Sequence, residues 1–347
     1  AYFFSDDWTR FLAVLVIATP CPLLIAAPLS FLGGLNRAAR QNIIIKSPFS
    51  LELLAKTKTL FFDKTGTLTL GEPRLRSIVI HDKHLDEEEA LPLAASLERH
   101  SLHPLAKTLV REQDKAGGEF LPTEEVHEKY GEGISGKMGR HHFTLRKARR
   151  NEKEGIHVEL LCEKKRVASF FFDDTLKPEV TEVLEYLKER DYQLGILTGD
   201  QAGNAKRILG EFGLPIYSGA TPERKASLIQ RFQKEGALVG MVGDGMNDAP
   251  ALALADLGIV FSGNESAASL EAADVAILGR DAIRIRDAIH IGRRSYHVAF
   301  QSIFLGMGLS TIGMTAAFFG FIDPVRGALL QELIDFCVIM NALRSTY

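Results

Sequence analysis

Cysteine is scarce in this sequence of 347 residues, and there is no excess of basic charge. The three cysteines, Cys21, Cys162 and Cys337, lie far apart, which excludes a disulfide framework and a Cys-x-x-Cys zinc knuckle and favours a reducing compartment. Because 41 lysines and arginines face 44 acidic residues, we expect no basic surface for nucleic acid. The first residues lack the basic start of a signal peptide, and the sequence has no internal repeats. We therefore expect part of a longer protein, and a chain of 347 residues has room for two or three domains.

Long apolar segments occur near both ends of the sequence. Residues 11–36 and 298–322 contain no charged residue, and residues 325–343 contain three. A membrane-spanning helix needs ~20 mostly apolar residues, so these segments predict three spans, and the alternative for each is a buried core helix. Lysine and arginine cluster after the first segment and before the second. By the positive-inside rule, this bias predicts that the region between them is cytosolic.

The region between the spans has the pattern of an α/β domain with an insertion. An apolar strand at 59–62 is followed, over residues 72–172, by charged helices and short β-like runs. Alternating helices and strands then resume, with strands at 193–197, 237–242 and 257–260. Such alternation predicts a parallel sheet with helices on both faces. The sequence thus predicts an α/β domain that contains an inserted α+β domain, with residues 47–56 as a short connector to the membrane.

Polar motifs directly follow three of these strands. They are DKTGTLT at 63–69, TGD at 198–200 and GDGMND at 243–248. Ligands bind at the carboxyl ends of strands in open α/β sheets, and an aspartate there can act as a nucleophile towards a phosphoryl group. We therefore predict that Asp63 is such a nucleophile.

The other polar residues complete a set for phosphoryl transfer. The Thr198 hydroxyl and the Lys225 ammonium are suited to neutralise the transferring oxygens. Asp244, together with Asp63, is suited to hold Mg²⁺, which binds one or two carboxylates plus phosphate oxygens and waters. Taken alone, TGD is often a turn and Lys225 is often a solvated helix residue. The three motifs and Lys225 occur together in one order along the chain, so chance is the weaker explanation of the pattern.

The motifs at 63–69, 198–200 and 243–250 (GDGMNDAP) resemble the signatures of P-type ATPases, which belong to the haloacid dehalogenase-like superfamily. The resemblance extends over nearly the whole chain. It implies a Rossmannoid phosphorylation domain with an inserted nucleotide-binding domain and an aspartyl phosphate on Asp63. Mg²⁺ would be held by Asp63, the Thr65 carbonyl and Asp244. The catalytic residues implied are Asp63, Thr65, Thr198, Gly199, Lys225 and Asp248.

Thr65 distinguishes a pump from a phosphatase. Phosphatases of this superfamily carry a second aspartate two positions after the nucleophile, as general acid and base for hydrolysis. In this sequence that position is Thr65. Without the base an aspartyl phosphate is expected to persist, as an ion pump requires, so a membrane-tethered phosphatase is the weaker alternative.

The inserted region resembles the nucleotide-binding domain of heavy-metal pumps. Residues 101–106 (SLHPLA) resemble their S-x-H-P-L motif, and residues 131–136 (GEGISG) their glycine-rich loop. Residues 174–178 (DTLKP) resemble their hinge, with a lysine at the usual arginine. Taken alone, His103 reads equally well as a surface residue at a helix start, and glycine loops are common. The resemblance implies an ATP site formed by Glu98, His103, Pro104, Gly131, Gly133, Gly136, Asp174, Asp200 and Asn247.

The first apolar segment contains the run TPCP at 19–22. Prolines free backbone carbonyls in mid-membrane and place Cys21 at an unwound point, and the run resembles the C-P-x motif of heavy-metal pumps. Glu332 and Asp335 are intramembrane carboxylates and therefore candidates for function. Residues 331–344 resemble the closing helix of zinc-type pumps, so we expect Cys21 to pair with Asp335, with Glu332 as a further ligand. One thiolate with carboxylates favours Zn²⁺, Co²⁺, Ni²⁺, Cd²⁺ or Fe²⁺ over Cu⁺.

The expected protein is the C-terminal part of a heavy-metal P-type ATPase that exports its ion across the lipid of the plasma membrane, with its catalytic domains in the cytoplasm. No TGE tripeptide occurs, so an actuator domain and further helices are expected elsewhere in the parent chain, and the fragment alone is not expected to complete a transport cycle. Two alternatives remain. One is a relic of a pump that binds nucleotide without transport. The other is a potassium-transporting or other P-type class, which Cys21 disfavours because a thiolate is a poor ligand for a hard alkali ion. The predicted segments are 1–56 (ion-binding span and connector), 57–71 and 173–280 (phosphorylation domain), 72–172 (nucleotide-binding domain) and 281–347 (linker and two spans).

Overall fold

The computed structural model describes residues 8–19, 21–101, 103–129, 133–148, 156–200, 202–245, 248–262 and 267–346. The chain forms two compact units. The first comprises Ala1–Phe61, Thr181–Leu194 and Pro222–Tyr347, and the second comprises Phe62–Val180 and Gly195–Thr221. The domain boundaries expected from the sequence follow the motifs and stay a prediction.

Helices and strands alternate along much of the chain. The helices are α1 (Trp8–Ile17), α2 (Cys21–Arg40), α3 (Pro48–Lys56), α4 (Glu87–Glu98), α5 (Pro104–Lys115), α6 (Val180–Lys188), α7 (Ala202–Leu209), α8 (Pro222–Lys234), α9 (Ala249–Leu254), α10 (Ala267–Ala272), α11 (Ile283–Phe318) and α12 (Pro324–Ala342). The strands are β1 (Ile43–Ile45), β2 (Thr59–Asp63), β3 (Thr69–Ile80), β4 (Glu124–Lys129), β5 (Gly133–Met138), β6 (His141–Lys147), β7 (Ile156–Cys162), β8 (Lys165–Leu176), β9 (Gln193–Leu197), β10 (Ile216–Tyr217), β11 (Val239–Gly243), β12 (Leu257–Ser262) and β13 (Val275–Leu278).

Four helices of the first unit correspond to the apolar segments. By length and composition, Trp8–Arg40 and Ile283–Phe318 could each cross a membrane. The first of these segments is not one continuous helix, because α1 ends at Ile17 and α2 begins at Cys21. A break is expected there, since proline lacks the N–H that a helix interior needs. The third predicted span is α12, which has 19 residues and contains the three charged side chains.

The segment expected as a short connector, at 47–56, contains the helix α3. Ser47 caps the helix by accepting a hydrogen bond from the Ser50 N–H at 3.1 Å. The helix buries Leu51 and Leu54. Gly292 of α11 lies so close that an added Cβ would be 2.5 Å from Leu54 Cβ, so the two helices are in direct contact. The apolar side chains at helical spacing therefore pack against α11.

A seven-stranded sheet provides the frame for the polar motifs. Its strand order is β1-β13-β12-β11-β2-β9-β10. The pairs β11–β12, β12–β13 and β9–β10 are parallel, as the alternation of helices and strands predicted, whereas β1 is antiparallel to β13. All five residues of the interior strand β2 are buried. The strands β1, β10 and β13 have two to four residues each and were not predicted.

The inserted region is a six-stranded antiparallel sheet of the order β3-β8-β7-β6-β5-β4. Its core combines side chains of β5, β6, β7 and β8 with the buried faces of α4 and α5. The predicted β-like runs at 142–145, 157–161 and 167–171 lie inside β6, β7 and β8. The α+β expectation is therefore confirmed, although β3, β4 and β5 were missed. β3 also shows two irregularities in its pairing with β8, where residues shift out of register.

Candidate functional site

Asp63 is the last residue of β2 and is 6% exposed. The chain then turns sharply at Gly66, whose φ of 71° lies in the left-handed region that favours glycine. The Thr69 hydroxyl closes the turn by donating to the Lys64 carbonyl at 3.2 Å. Thr65 is exposed in this turn. A buried strand followed by a fixed turn thus holds the Asp63 carboxylate at a defined place.

Lys64 is the main residue of this turn that the sequence reasoning missed. Its side chain is 1% exposed and forms ion pairs with Asp174 and with Asp200, whose Oδ2 lies 2.6 Å from the ammonium nitrogen. Burial by itself lowers the pKa of Lys64, but these two carboxylates outweigh burial and hold that pKa above its ordinary value. Lys64 therefore stays charged. In the sequence, its position between Asp63 and Thr65 could have identified Lys64 as a residue of the site.

The structure places Asp174 and Asp200, both expected at the ATP site, against this buried lysine. The backbone N–H of Asp200 donates to Thr198 Oγ1 at 3.1 Å, so the TGD motif forms a local turn around the Thr198 hydroxyl. Thr198 itself is 1% exposed. Gly199 lies between them, and an added Cβ there would meet only the Ala220 carbonyl oxygen, at 3.8 Å. The second unit thus gathers Lys64, Thr198, Asp174 and Asp200.

The first unit contains the remaining catalytic candidates. Lys225, in α8, donates to Asp248 Oδ1 at 2.6 Å, and both side chains are buried. Asp244, which follows β11, offers a carboxylate oxygen within 4.8 Å of one from Asp248. An added Cβ at Gly243 would lie 2.8 Å from Asp248 Oδ2, so a glycine is required for this approach. Asn247 lies outside the described residues.

Asp248 Oδ2 is a buried oxygen that makes no hydrogen bond within the described part of the chain. A buried acceptor without a donor is costly unless a ligand or ion satisfies it. Asp244 supplies a second carboxylate beside it, and Mg²⁺ prefers such oxygen ligands. These residues of the first unit therefore fit a hard divalent cation.

The nucleotide candidates of the second unit lie around Ser101. The Ser101 hydroxyl donates to Glu128 Oε1 at 2.7 Å and accepts from the His103 N–H at 3.2 Å. Glu98, the last residue of α4, is buried beside it. Burial, and secondly the charge of Glu128, raise the pKa of Glu98 to about 7. Glu128 was missed because β4 was not predicted.

His103 and the glycines have clear local roles. His103 caps α5, since its Nδ1 accepts from the Leu105 N–H at 3.2 Å, and Pro104 is the first helical residue. Gly133 has a φ of 113°, and an added Cβ would be 2.1 Å from the Leu145 carbonyl oxygen. An added Cβ at Gly136 would be 3.0 Å from Leu97 Cδ2, so β5 lies tightly against α4. Gly131 lies outside the described residues.

The expected pair in the apolar helices is brought together. The half-buried Cys21 thiol lies beside the Asp335 carboxylate. Gln331 Nε2 donates to Asp335 Oδ1 at 3.1 Å, and the Ser310 hydroxyl donates to Gln331 Oε1 at 3.3 Å. Glu332 is exposed on α12 and does not share the burial of Asp335. Hydrogen bonds thus connect Ser310 of α11 to Asp335 of α12, which lies beside the start of α2.

Comparison with known protein families and curated relatives identifies similar sequences. Residues 57–256 match the family model of the haloacid dehalogenase-like hydrolases. A copper-exporting P-type ATPase of Legionella pneumophila is 33% identical, over 96% of this chain and 48% of its own. A zinc-exporting P-type ATPase of Mycobacterium marinum is 31% identical, over 98% and 49%. A manganese-exporting P-type ATPase of Mycobacterium leprae is 31% identical, over 98% and 50%. The chain thus spans about half the length of the curated relatives it matches.

Two examples show the similarity to solved structures. A zinc-transporting PIB-type ATPase in its E2·Pi state superposes with a TM-score of 0.87 at 30% identity, over 97% of this chain and 58% of its own. The catalytic domain of the CPx-ATPase CopB-B superposes with a TM-score of 0.65 at 30% identity, over 74% of this chain and 98% of its own. Similarity therefore extends through the apolar helices as well as the catalytic region.

Proposed function

Because the chain belongs to the heavy-metal P-type ATPases of the haloacid dehalogenase-like superfamily, we propose that it drives transport of a heavy-metal cation by way of an aspartyl phosphate on Asp63. The observation that supports this most is the Asp63 turn. Asp63 ends a buried strand, and the exposed residue two positions later is Thr65 rather than a second aspartate. The turn therefore has a nucleophile without the base that would hydrolyse its product.

Phosphoryl transfer would proceed from ATP to Asp63. A carboxylate oxygen of Asp63 attacks the γ-phosphorus, the bond from that phosphorus to the β–γ bridging oxygen breaks, and ADP leaves. The Thr198 hydroxyl donates to the transferring oxygens, and Lys225, held in place by Asp248, neutralises their charge. Mg²⁺ supplies further charge neutralisation when bound, and Asp63, the Thr65 carbonyl and Asp244 would hold it.

ATP is proposed to bind in the second unit. Glu98 and His103 lie beside Ser101, and Pro104 begins α5. Gly133 and Gly136 lie in β5. Gly131 and Asn247 are proposed members as well. For Asp174 and Asp200 we propose a supporting role, since both hold the Lys64 ammonium next to the nucleophile in sequence.

The transported ion is proposed to bind Cys21 and Asp335. A thiolate with a carboxylate favours a borderline divalent ion of the class Zn²⁺, Co²⁺, Ni²⁺, Cd²⁺ or Fe²⁺. Relatives that bear the names of copper, zinc and manganese exporters do not single out one metal. Glu332 is the weaker candidate ligand because it is exposed. We also propose that the ion is exported across the plasma membrane. A separate actuator domain of the parent chain would direct water to the phosphate on Asp63.

The test is metal-dependent ATP hydrolysis by the full-length parent in lipid, with Asp63→Asn as the blank. We expect stimulation by the divalent metals, loss of activity in the blank, and loss of stimulation in Cys21→Ala and Asp335→Ala. Cys337→Ala is the matched control, since this thiol is exposed on α12. Hydrolysis without metal would support a phosphatase instead, and the absence of hydrolysis a pump relic.

A further inference from the structure

Two arginines lie where the helices α2, α11 and α12 of the first unit approach one another. Arg37 is in the last turn of α2, and Arg294 is in α11. An added Cβ at Gly34 would clash with the Ser295 hydroxyl, so α2 touches α11 one residue after Arg294. Arg294 Nη2 donates to the Arg344 carbonyl oxygen at 3.1 Å, just beyond the end of α12. Arg294 is therefore held at the junction of the three helices.

Arg37 and Arg294 share His290 as a neighbour. His290 precedes Arg294 by one helical turn and is exposed on the same face of α11. The charges of Arg37 and Arg294 both act on the His290 ring. The two guanidinium groups thus belong to one basic cluster, formed by the end of α2 and by one face of α11.

This cluster lacks the acidic partners that arginines earlier in α11 have. Arg284 and Arg286 both form ion pairs with Asp287. Neither Arg37 nor Arg294 has a carboxylate partner within the described part of the chain, and Arg37 Nη1 and Arg294 Nε are buried nitrogens that find no acceptor there. Each guanidinium has five N–H donors, so most of this donor capacity is unused. Both residues are only partly buried, so an anion can reach them.

Exposed apolar side chains on the same two helices indicate how deep the cluster lies in a membrane. Leu32 of α2 is 59% exposed and Phe300 of α11 is 45% exposed. Along the helix axis, Arg37 lies about 8 Å beyond Leu32, and Arg294 about 9 Å before Phe300. The headgroup layer on each side of the bilayer core is about 5–8 Å deep. Both arginines therefore come to the level of the lipid phosphates when the apolar side chains lie in the core.

We propose that Arg37 and Arg294 bind the phosphate group of an anionic lipid in the cytoplasmic leaflet. The planar fork of a guanidinium matches two phosphate oxygens, and this leaflet is the one rich in anionic lipid. Phosphatidylcholine carries a cation beside its phosphate, which the arginines repel, so the site prefers a lipid such as phosphatidylglycerol. The inference goes beyond the proposed function, since neither residue takes part in phosphoryl transfer or in binding the transported ion.

The test is native mass spectrometry of the full-length parent in detergent, titrated with phosphatidylglycerol. The apparent Kd of the first lipid bound is measured for the wild type and for Arg37→Gln/Arg294→Gln. Arg284→Gln/Arg286→Gln is the matched control, because it removes the same charge from arginines that are already paired. We expect the Kd to rise about thirtyfold in the first variant, which is roughly fivefold for each basic residue at an anionic lipid surface. The control should keep the Kd of the wild type.

Thermal unfolding in phosphatidylcholine nanodiscs shows that the variants fold. The midpoint of Arg37→Gln/Arg294→Gln should lie close to that of the wild type, because no ion pair is lost, and added phosphatidylglycerol should raise the midpoint of the wild type only. The single variant Arg37→Gln, with an expected Kd rise of about fivefold, serves if the double variant fails to fold.

Inorganic phosphate at millimolar concentration distinguishes the two sources of a phosphate group. Retention of phosphatidylglycerol in its presence would support the lipid. Displacement of the lipid by inorganic phosphate would assign the cluster to a soluble anion and overturn the inference. An equal loss of lipid affinity in the two double variants, or a wild-type chain that binds no phosphatidylglycerol, would overturn it as well. None of these outcomes alters the test of the proposed function by Asp63→Asn.

Discussion

The Lys225 ammonium nitrogen lies 2.6 Å from Asp248 Oδ1, and both side chains are almost fully buried. A buried ion pair is costly to break, because the partner that remains is left charged in a medium of low polarity. The same carboxylate has its second oxygen unsatisfied within the described residues. The pair therefore fixes one oxygen of Asp248 and leaves the other available for a cation.

Replacing Lys225 by methionine tests this pairing. We expect a loss of about 3–5 kcal/mol in the free energy of unfolding, because Asp248 stays buried without its ammonium partner. The double variant Lys225→Met/Asp248→Leu should recover most of that loss, since no charge remains to be paired. Thermal unfolding of both variants is the measurement, and equal instability in the two would contradict the explanation.

Thr65→Asp should convert a stable aspartyl phosphate into a short-lived one. A carboxylate two positions after Asp63 can act as a general base on water, an effect of about 10²-fold or more in rate. Thr65 is exposed, so the larger polar side chain fits without repacking. The decay of the labelled phosphoenzyme after a chase with unlabelled ATP is the measurement. Thr65→Asn is the matched control, with wild-type decay as its expected result.

Glu98→Gln should stabilise the protein at alkaline pH. The pKa of Glu98 in the folded chain, about 7, is above its ordinary 4.5, so the unfolded chain loses this proton first as pH rises. The stability that neutral Glu98 contributes is complete below about pH 4.5 and is lost as pH rises through 7.

We expect Glu98→Gln to match the wild type near pH 4 and to exceed it near pH 8 by up to about 3 kcal/mol. The measurement is the unfolding midpoint as a function of pH, with Glu124→Gln as the control. If the unfolding midpoint of Glu98→Gln changed with pH as steeply as that of the wild type, another group would be responsible for the pH dependence.

Gln331→Leu should weaken metal binding by roughly tenfold. Gln331 donates to Asp335 at 3.1 Å and so orients the proposed ligand, and loss of such outer partners typically costs 10–100-fold in metal affinity. Asn341→Leu is the matched control, because Asn341 lies on the same helix and hydrogen-bonds Ser302 instead. The concentration of metal at half-maximal ATPase stimulation is the measurement, and equal shifts in both variants would contradict the prediction.

Gly306→Ala should disturb the contact of α11 with α2. An added Cβ would lie 2.4 Å from Pro22 Cβ, so the helices must separate, at a cost of about 1–3 kcal/mol. Gly308→Ala, where an added Cβ meets nothing within 4 Å, is the matched control. Thermal stability and metal stimulation should both fall in the first variant only. Similar behaviour of the two would count against close packing of the helices at this point.

Local sequence patterns predicted the residues that begin and end several elements. The predicted strand at 193–197 begins and ends at the same residues in the structure, because the apolar run stops at the polar turn that follows Leu197. The break before Cys21 likewise follows from the chemistry of proline. These features depend on residues that are neighbours in the sequence, which is why the sequence alone sufficed.

Contacts between distant residues were not predictable in the same way. Lys64 meets Asp174, which lies 110 positions away, and nothing near Lys64 in sequence indicates that partner. The strand β3 mixes charged residues, glycine and proline with apolar ones, so its alternation is weak. Glu128 lies in β4, whose burial pattern shows five exposed residues of six, and such an edge strand gives no apolar signal.

The helix α11 runs without interruption for 36 residues, from Ile283 to Phe318. At 1.5 Å per residue it is about 54 Å long, well beyond the ~30 Å of a bilayer core. Its first turns contact α3 at Gly292 and pair Arg286 with Glu182, while its later turns meet Pro22 at Gly306. One continuous rod therefore reaches from the first turns to the neighbourhood of Cys21. If this helix tilted by about 10° about one end, its other end would move by about 9 Å. A small rotation at the first turns would therefore displace the helix surface that packs beside Cys21.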